Sequence, residues 1–147
     1  MSENLFDGAE IISRYTRAQA IADGVLVDLS TGETAKLVSE ARIKWPVAMT
    51  SAAWHETVGR GGHWVPDPET GGEKMELPTG QDAIGRTWDV LNLLRFAICQ
   101  HRGPTTEIRF KVRVWDATRT RVVRLKSLSG PGDQGEPVIT LLLPGED

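Results

Sequence analysis

The sequence predicts an α+β fold, in which a C-terminal antiparallel sheet of three or more strands packs on a long central helix, with shorter N-terminal helices. Two patterns carry this prediction. Residues 79–99 have the period of an α-helix, and residues 107–114 alternate strictly between apolar and charged side chains, as a half-buried strand does. A chain of 147 residues can bury one core, so we predict a single domain over residues 1–147.

The central helix is predicted from its apolar spacing. Apolar residues recur every three or four positions along one face: Ile84, Trp88, Leu91, Leu94 and Ile98. Thr79 is the expected N-cap, because its hydroxyl can accept an orphan N–H of the first turn. The helix should end before Pro104, which cannot continue it. Cys99 continues the apolar segment, and we expect it to be a small buried residue.

A polar row interrupts the apolar surface of this helix at steps of three residues: Arg86, Asp89, Asn92 and Arg95. Neighbours on such a row can touch each other. Two interpretations stay open. The row lines a pocket, or it is an internally paired ladder that faces solvent or a loop.

Shorter helices are expected on the N-terminal side. Residues 7–23 are typical of an amphipathic helix with a new N-cap at Thr16. A second short helix is predicted over residues 30–41, and a third begins at Thr50 or Ser51. These helices should complete the layer that packs on the sheet.

Residues 59–78 form an insertion that is rich in glycine, proline and acidic residues and has no sustained period. It is either a β-hairpin with a turn at residues 69–72 or a mobile loop. His63 and Trp64 lie within it, and an exposed indole at Trp64 would be a good binding anchor. Burial of Trp64 under its own loop is the alternative. We expect the tryptophans at positions 45, 54 and 88 to lie in the core.

The C-terminal third is predicted to be β structure. Apolar residues at even positions from Ile108 to Val114 should face the helix, and a turn is expected at residues 116–120. A second strand then continues through Leu125. A third strand, over residues 138–143, is apolar on both faces, so we expect it to be central or covered on both sides.

Charge is distributed unevenly along the chain. Its net charge is −3, but residues 102–126 hold eight basic and two acidic side chains, a net +6, which leaves −9 for the remainder. Alternation and antiparallel pairing should place five of the cations on one solvated sheet face, with Trp115 at its end: Arg109, Lys111, Arg113, Arg124 and Lys126. Such a face indicates an anionic partner, unless the acidic N-terminal half folds over it.

No motif predicts catalysis. Gly130, Gly132 and Gly135 have the spacing of a dinucleotide-binding loop, but their segment runs from strand to strand, whereas that site needs a strand, a glycine turn and a helix. We interpret them as part of a hairpin loop. Cys99 and His101 lie two positions apart, on different sides of a helix end, so they do not predict a thiolate–imidazole pair.

Metal and cofactor sites are not predicted either. His55, His63 and Asp67 lie close in sequence, but without the spacing of a zinc-binding helix. The longest apolar run is far shorter than a membrane span, and the N-terminus lacks the basic and apolar regions of a signal peptide. With only one cysteine as well, we expect a cytoplasmic protein without an internal disulfide, metal or cofactor.

Four blocks of the sequence carry a family likeness: YTRAQAIADGVLVDLS, WPVAMTSAAW, GRTWDVLNLLRFAI and SGPGDQGEPVITLLLPGED. They resemble an uncharacterised family of small bacterial proteins that also occur on plasmids and in phage genomes. The resemblance implies a shared fold and a mobile-element setting, with an accessory role such as interference with a host defence. It implies no catalytic residues.

We therefore expect a binding protein rather than an enzyme, because one-sided charge is visible and convergent acid–base groups are not. Its partner would be a nucleic acid or an acidic host protein that meets the basic face. The alternative is a pocket between the central helix and the 59–78 insertion that binds or hydrolyses a nucleotide-like small molecule. Its residues would be Arg86, Asp89, Asn92, Arg95, His63 and Trp64. The oligomeric state, including a homodimer, stays open.

Overall fold

The computed structural model describes residues 15–146. Its helices are α1 (Arg17–Ala22), α2 (Ala35–Glu40), α3 (Ser51–Glu56) and α4 (Ala83–Gln100), with a 3-10 turn at Gly32–Thr34. Its strands are β1 (Leu26–Asp28), β2 (Val47–Thr50), β3 (His63–Pro66), β4 (Glu73–Glu76), β5 (Glu107–Trp115), β6 (Thr120–Pro131) and β7 (Pro137–Leu142). The part of the first predicted helix that precedes Tyr15 lies outside the described residues. Thr16 is the N-cap of α1, as predicted, and forms a capping box with Gln19.

The main sheet has five strands in the order β1-β2-β7-β6-β5. The α+β class is confirmed, but the sheet is not purely C-terminal, because two N-terminal strands extend it. It is not purely antiparallel either, since β2 and β7 pair in parallel. β7 is the middle strand, which is one of the two arrangements that its apolar sequence predicted. Residues on both of its faces are buried, including Leu141 and Leu142.

Helix α4 is the predicted central helix, with two corrections. It begins at Ala83 rather than near Thr79, and the Asp82 carboxylate is its N-cap, accepting the Gly85 N–H. The predicted apolar row is also buried only in its middle. Leu91 and Leu94 lie in the core beside Val90, whereas the two ends of the row, Ile84 and Ile98, are exposed. Cys99 is exposed as well, which corrects the expected burial.

The core lies between α4 and one face of the sheet. The α4 side chains pack there with Val112 of β5, Leu125 of β6 and Leu141 of β7, all buried. Trp88 and Trp54 are partly buried against this core, but Trp45 is exposed, contrary to expectation. Trp45 follows α2 in a connecting segment outside the helices and strands.

Helix α1 lies on the opposite face of the sheet. The Arg17 guanidinium donates to the Thr140 hydroxyl at 2.7 Å and to the Ile139 carbonyl at 2.8 Å, both on β7. The Asp133 carboxylate accepts the backbone N–H groups of Arg17 and Ala18. Asp133 belongs to the glycine-rich loop, which joins β6 to β7 as a hairpin, as the sequence predicted.

The insertion forms the hairpin alternative rather than an irregular loop. Strands β3 and β4 pair antiparallel, with His63 opposite Glu76 and Pro66 opposite Glu73. The Asp67 carbonyl accepts from the Gly71 N–H, and the Asp67 N–H donates to the Gly72 carbonyl. These two bonds close the turn. Trp64 lies on this hairpin with 55% of its surface exposed. Trp64 is therefore exposed, as the first of its two predicted environments requires, and is not buried under its own loop.

Two features are absent from the described residues. Among residues 15–146, no helix is both long and apolar enough to cross a membrane. The same part of the chain contains no group of three or more His, Cys, Asp or Glu side chains that could hold a metal ion.

Candidate functional site

The predicted basic residues lie on the β5–β6 pair, on the side facing away from α4. The two strands are antiparallel through the predicted turn, and their register places Lys111 opposite Arg124 and Arg109 opposite Lys126. Directly opposed residues project to the same side of a sheet. Arg113 belongs to the same row and lies opposite Val122. We call the exposed members, Arg109, Lys111, Arg113 and Arg124, the basic face.

Lys126 does not belong to the accessible surface. Only 7% of it is exposed, whereas the four residues of the basic face are all exposed. The strand neighbours of Lys126 explain why it is buried. Lys126 lies further along β6, between Arg109 on the edge strand and the buried Leu142 on the middle strand. The prediction that five cations share a solvated surface is therefore corrected to four.

Most of the basic face forms no ion pair among the described residues, although the Asp89 carboxylate lines a groove with Lys111 and Arg113. Arg109 pairs with Glu107 at 2.9 Å, and both side chains are largely in solvent, where such a pair contributes little. Among residues 15–146, Lys111, Arg113 and Arg124 form no ion pair. Lys111 and Arg124 are directly opposed like charges, an arrangement that destabilises a strand pair.

Trp115 ends the row of outward-facing β5 residues, with 41% of its surface exposed. Its backbone is fixed by Arg86 of α4, whose guanidinium donates to the Trp115 carbonyl. Arg86 also donates to the carbonyls of Val58 at 3.0 Å and Arg60 at 2.6 Å. Arg86 is buried, and this burial lowers its pKa while nearby Asp116 opposes the shift. Arg86 thus connects three chain segments and is not free to line a pocket.

The β5–β6 turn is held by Asp116. Its carboxylate accepts from the Arg121 guanidinium, the Thr118 hydroxyl and the backbone N–H groups of Thr118 and Arg119. The bond from Arg121 is the main cause that holds the pKa of Asp116 far below its ordinary value. These contacts fix the turn, in which Ala117 has a left-handed backbone with φ of 82°. Consequently the register of the basic face is also fixed.

The residues of the alternative pocket are not brought together. Arg86 and Arg95 are nine positions apart, or about two and a half helical turns, so they point to opposite sides of α4. Asp89 and Asn92 line a shallow groove with Lys111 and Arg113. Desolvation in this groove raises the pKa of the Asp89 carboxyl. His63 and Trp64 project from the exposed hairpin instead.

A cavity of about 520 Å³ opens at the other end of α4, where the sequence predicted no site. Its lining comes from the segment after α2, the C-terminal turn of α4, the loop before β5, and strands β5, β6 and β7. Arg95 is the only residue of the predicted alternative pocket that reaches it. The cavity escaped the sequence analysis because only tertiary packing brings these separate segments together.

Comparisons with known proteins give one match. A sequence model described as "Family of unknown function (DUF6573)" matches residues 1–147. No curated protein matches the chain, and no solved structure matches it.

Proposed function

The chain belongs to DUF6573, a family of unknown function, and from that premise we propose that it is a non-enzymatic binding protein whose basic face holds single-stranded nucleic acid. One observation carries the proposal. Lys111, Arg113 and Arg124 are exposed, adjacent and without ion pairs among the described residues, in a chain whose net charge is −3. A positively charged cluster on a chain with a negative net charge is explained if the cluster binds an anionic partner.

The strand pair also offers a simpler reason for part of this charge. β5 is an edge strand, and charged side chains on an edge prevent pairing with other chains. That argument accounts for Lys111 and Arg113. It does not account for Arg124, which lies on the inner strand β6 and opposes Lys111 at a cost in stability.

The chemistry of the face favours nucleic acid over an acidic protein surface. Three of its four cations are arginines, whose planar guanidinium can bind a phosphate through two hydrogen bonds. Alternate residues of a strand lie about 6.5–7 Å apart, so the cations form a regular row. Trp115 continues this row with an exposed indole, and a stacking aromatic beside a basic track is typical of single-strand binding.

The cellular setting belongs to the same proposal. The resemblance to plasmid- and phage-borne proteins supports a role in a mobile genetic element, acting in the cytoplasm against a host defence. A single strand of nucleic acid exposed during replication or transfer would be a partner of suitable charge.

The test compares two triple variants with the same change in net charge. In the first, Lys111, Arg113 and Arg124 are each replaced by Glu. In the control, the exposed residues Lys36, Lys74 and Arg102 are each replaced by Glu. Binding to a fluorescent single-stranded oligonucleotide is measured by anisotropy at increasing salt, and circular dichroism checks the fold of each variant.

We expect wild-type affinity to fall with salt with a logarithmic slope of about −2, from three neutralised phosphates. The basic-face variant should lose binding, while the control variant keeps most of it. Equal losses in both variants would mean that only net charge matters, and would contradict the proposal. Binding to polyglutamate but not to the oligonucleotide would assign the face to an acidic protein instead.

A further inference from the structure

The cavity at the C-terminal end of α4 has an apolar floor and a cationic rim. Its floor includes Ile108 of β5 and Ile139 of β7, and Ile98 of α4 forms part of one wall. The indole of Trp45, 45% exposed, stands at the opening. A volume of about 520 Å³ is within the range of small-molecule sites.

Among residues 15–146, all the charged or titratable groups around this cavity, apart from the Cys99 thiol, are basic: Arg42, Lys44, Arg95 and His101. No aspartate or glutamate of this part of the chain lines it. None of these four basic side chains forms an ion pair with a residue among 15–146. The rim can therefore attract an anion without first breaking internal pairs.

The floor contains a polar group that lacks a protein partner. Ser127 is only 3% exposed and lines the cavity, yet its hydroxyl makes no hydrogen bond with the described residues. Ser129 lies two positions along β6, also lines the cavity, and its hydroxyl is likewise without a partner there. Among the described residues, the only enclosed side-chain nitrogen or oxygen atom without a partner is Arg60 Nε, so the two serine hydroxyls open onto the cavity. Each hydroxyl can donate to, or accept from, a polar atom of a ligand at that depth.

Arg42 occupies a backbone position that favours glycine. It follows the last turn of α2 with a left-handed φ of 59°, and the Ile43 N–H bonds back to the Val38 carbonyl, as in a Schellman motif. An arginine here has a conformational cost that glycine would avoid. Its side chain reaches the rim of the cavity, where a cation is useful.

We propose that this cavity binds a small aromatic anion, a planar ring with hydrogen-bonding atoms at its edge and a phosphate or carboxylate at the other end. The ring would enter between Trp45 and the isoleucines, and its polar edge would meet Ser127 and Ser129. The anionic group would stay at the rim with Arg42 and Arg95. A mononucleotide and an aromatic carboxylate share this chemistry, and the test separates them.

This site is independent of the proposed function. The cavity is on the α4 side of the sheet, and the basic face is on the other side. Its lining shares no residue with the basic face. Loss of one activity should therefore leave the other intact.

Cys99 provides a built-in reporter for the test, since it is the only cysteine, is exposed and lines the cavity. The rate of its reaction with Ellman's reagent is measured with adenosine monophosphate, indole-3-acetate, adenosine, inorganic phosphate and laurate. Calorimetry gives the dissociation constants. We expect adenosine monophosphate or indole-3-acetate to slow the reaction by about tenfold at saturation, whereas adenosine and inorganic phosphate alone should protect weakly.

Two variants and one control complete the test. Arg42→Gly relieves the left-handed backbone, so it should fold at least as stably as the wild type and still bind about tenfold more weakly. Ser127→Ala should weaken binding of the same ligand by a similar factor. The basic-face triple variant should bind it unchanged.

Three outcomes would overturn the proposal. The first is that neither aromatic anion protects Cys99. The second is that adenosine protects as well as its monophosphate, or laurate better than both aromatic anions. The third is that Arg42→Gly, with its fold intact, binds as tightly as the wild type.

Discussion

Arg86 holds together the segments that lie beside the basic face. Its guanidinium donates to the carbonyls of Val58 and Arg60, which lie in one segment, and to the carbonyl of Trp115, which is far from them in sequence. Each carbonyl would lack a partner without it, and buried unpaired acceptors are costly. One side chain therefore ties the start of α4 to the hairpin base and to the end of β5.

We expect Arg86→Ala to destabilise the protein by about 3–5 kcal/mol, because three backbone carbonyl groups lose their hydrogen-bond donor. Arg86→Lys should recover only part of this loss, because an ammonium cannot reproduce the fork of donors. Urea unfolding measures the effect. Arg95→Ala, on the same helix at the cavity rim, is the control and should change stability by less than about 1 kcal/mol. Equal effects would show that Arg86 has no special structural role.

Two aspartates should affect stability in opposite directions. The pKa of Asp116 is lowered, chiefly by Arg121, so its ionised form stabilises the fold. That stabilisation is complete above the ordinary aspartate pKa of about 3.9 and is lost as the pH falls below it. The pKa of Asp89 is raised by desolvation, so its ionised form destabilises the fold. This cost appears as the pH rises above about 4.

At neutral pH, Asp116→Asn should therefore lower the melting temperature, and Asp89→Asn should raise it. Acid titration of the variants should show a smaller loss of stability below pH 4 for Asp116→Asn than for the wild type. The two substitutions are chemically identical, so each is the control for the other. Changes of the same sign in both variants would contradict the assigned environments.

At the scale of one element, β5 separates its two faces cleanly. Val112 and Val114 are buried against the α4 side, and Phe110 is partly buried there, while the alternate residues carry the cations. The strand thus contributes to the core and to the proposed binding surface without conflict. Helix α4 separates its faces less cleanly, because Phe96 near its C-terminal end is 59% exposed.

The two phenylalanines allow a matched test of these face assignments. Phe110→Ala should cost about 3 kcal/mol, the low end for a core phenylalanine, because Phe110 retains some exposure. Phe96→Ala should change the free energy of unfolding by less than about 0.5 kcal/mol. Denaturant melts measure both values. If Phe96→Ala proved the more costly substitution, α4 would have to bury a different face.

At the scale of the whole molecule, the pairing of β2 with β7 joins the two halves of the chain. Val47 lies opposite Ile139 and Met49 opposite Leu141, and all four side chains are buried. β7 has β6 on its other side, so a single strand connects the N-terminal strands with the basic face. This arrangement supports the prediction of one domain, which remains to be tested.

Fragments test it directly. We expect neither residues 1–104 nor residues 105–147 to fold alone. The first keeps β1 but lacks β7, the partner on the inner side of β2, and the second lacks α4 over its apolar face. Circular dichroism and tryptophan fluorescence of the intact chain should show one coincident transition. A cooperative melt of fragment 105–147 by itself would identify an independent C-terminal unit.

Local patterns in the sequence predicted several features of the fold. Alternation assigned Val112 to the core and Arg113 to solvent, and the helical period located α4. The apolar run at residues 138–143 predicted a strand that is central or covered on both sides. These succeeded because periods of two and 3.6 residues reflect burial directly. Even so, Asp82 rather than Thr79 caps α4, since two side chains able to cap a helix lie three residues apart and spacing alone cannot choose between them.

The environments of Arg86, Arg95 and Lys126 depend on residues far away in the chain, so they are visible only in the tertiary structure. Three-residue spacing grouped Arg86 with Arg95, but the backbone carbonyls that Arg86 binds and the cavity that Arg95 enters lie at opposite ends of α4. Lys126 matched its neighbours in type and alternation, yet its position beside β7 buries it. In each case the deciding free energy is that of packing and hydrogen bonding between segments far apart in sequence, which no local period encodes.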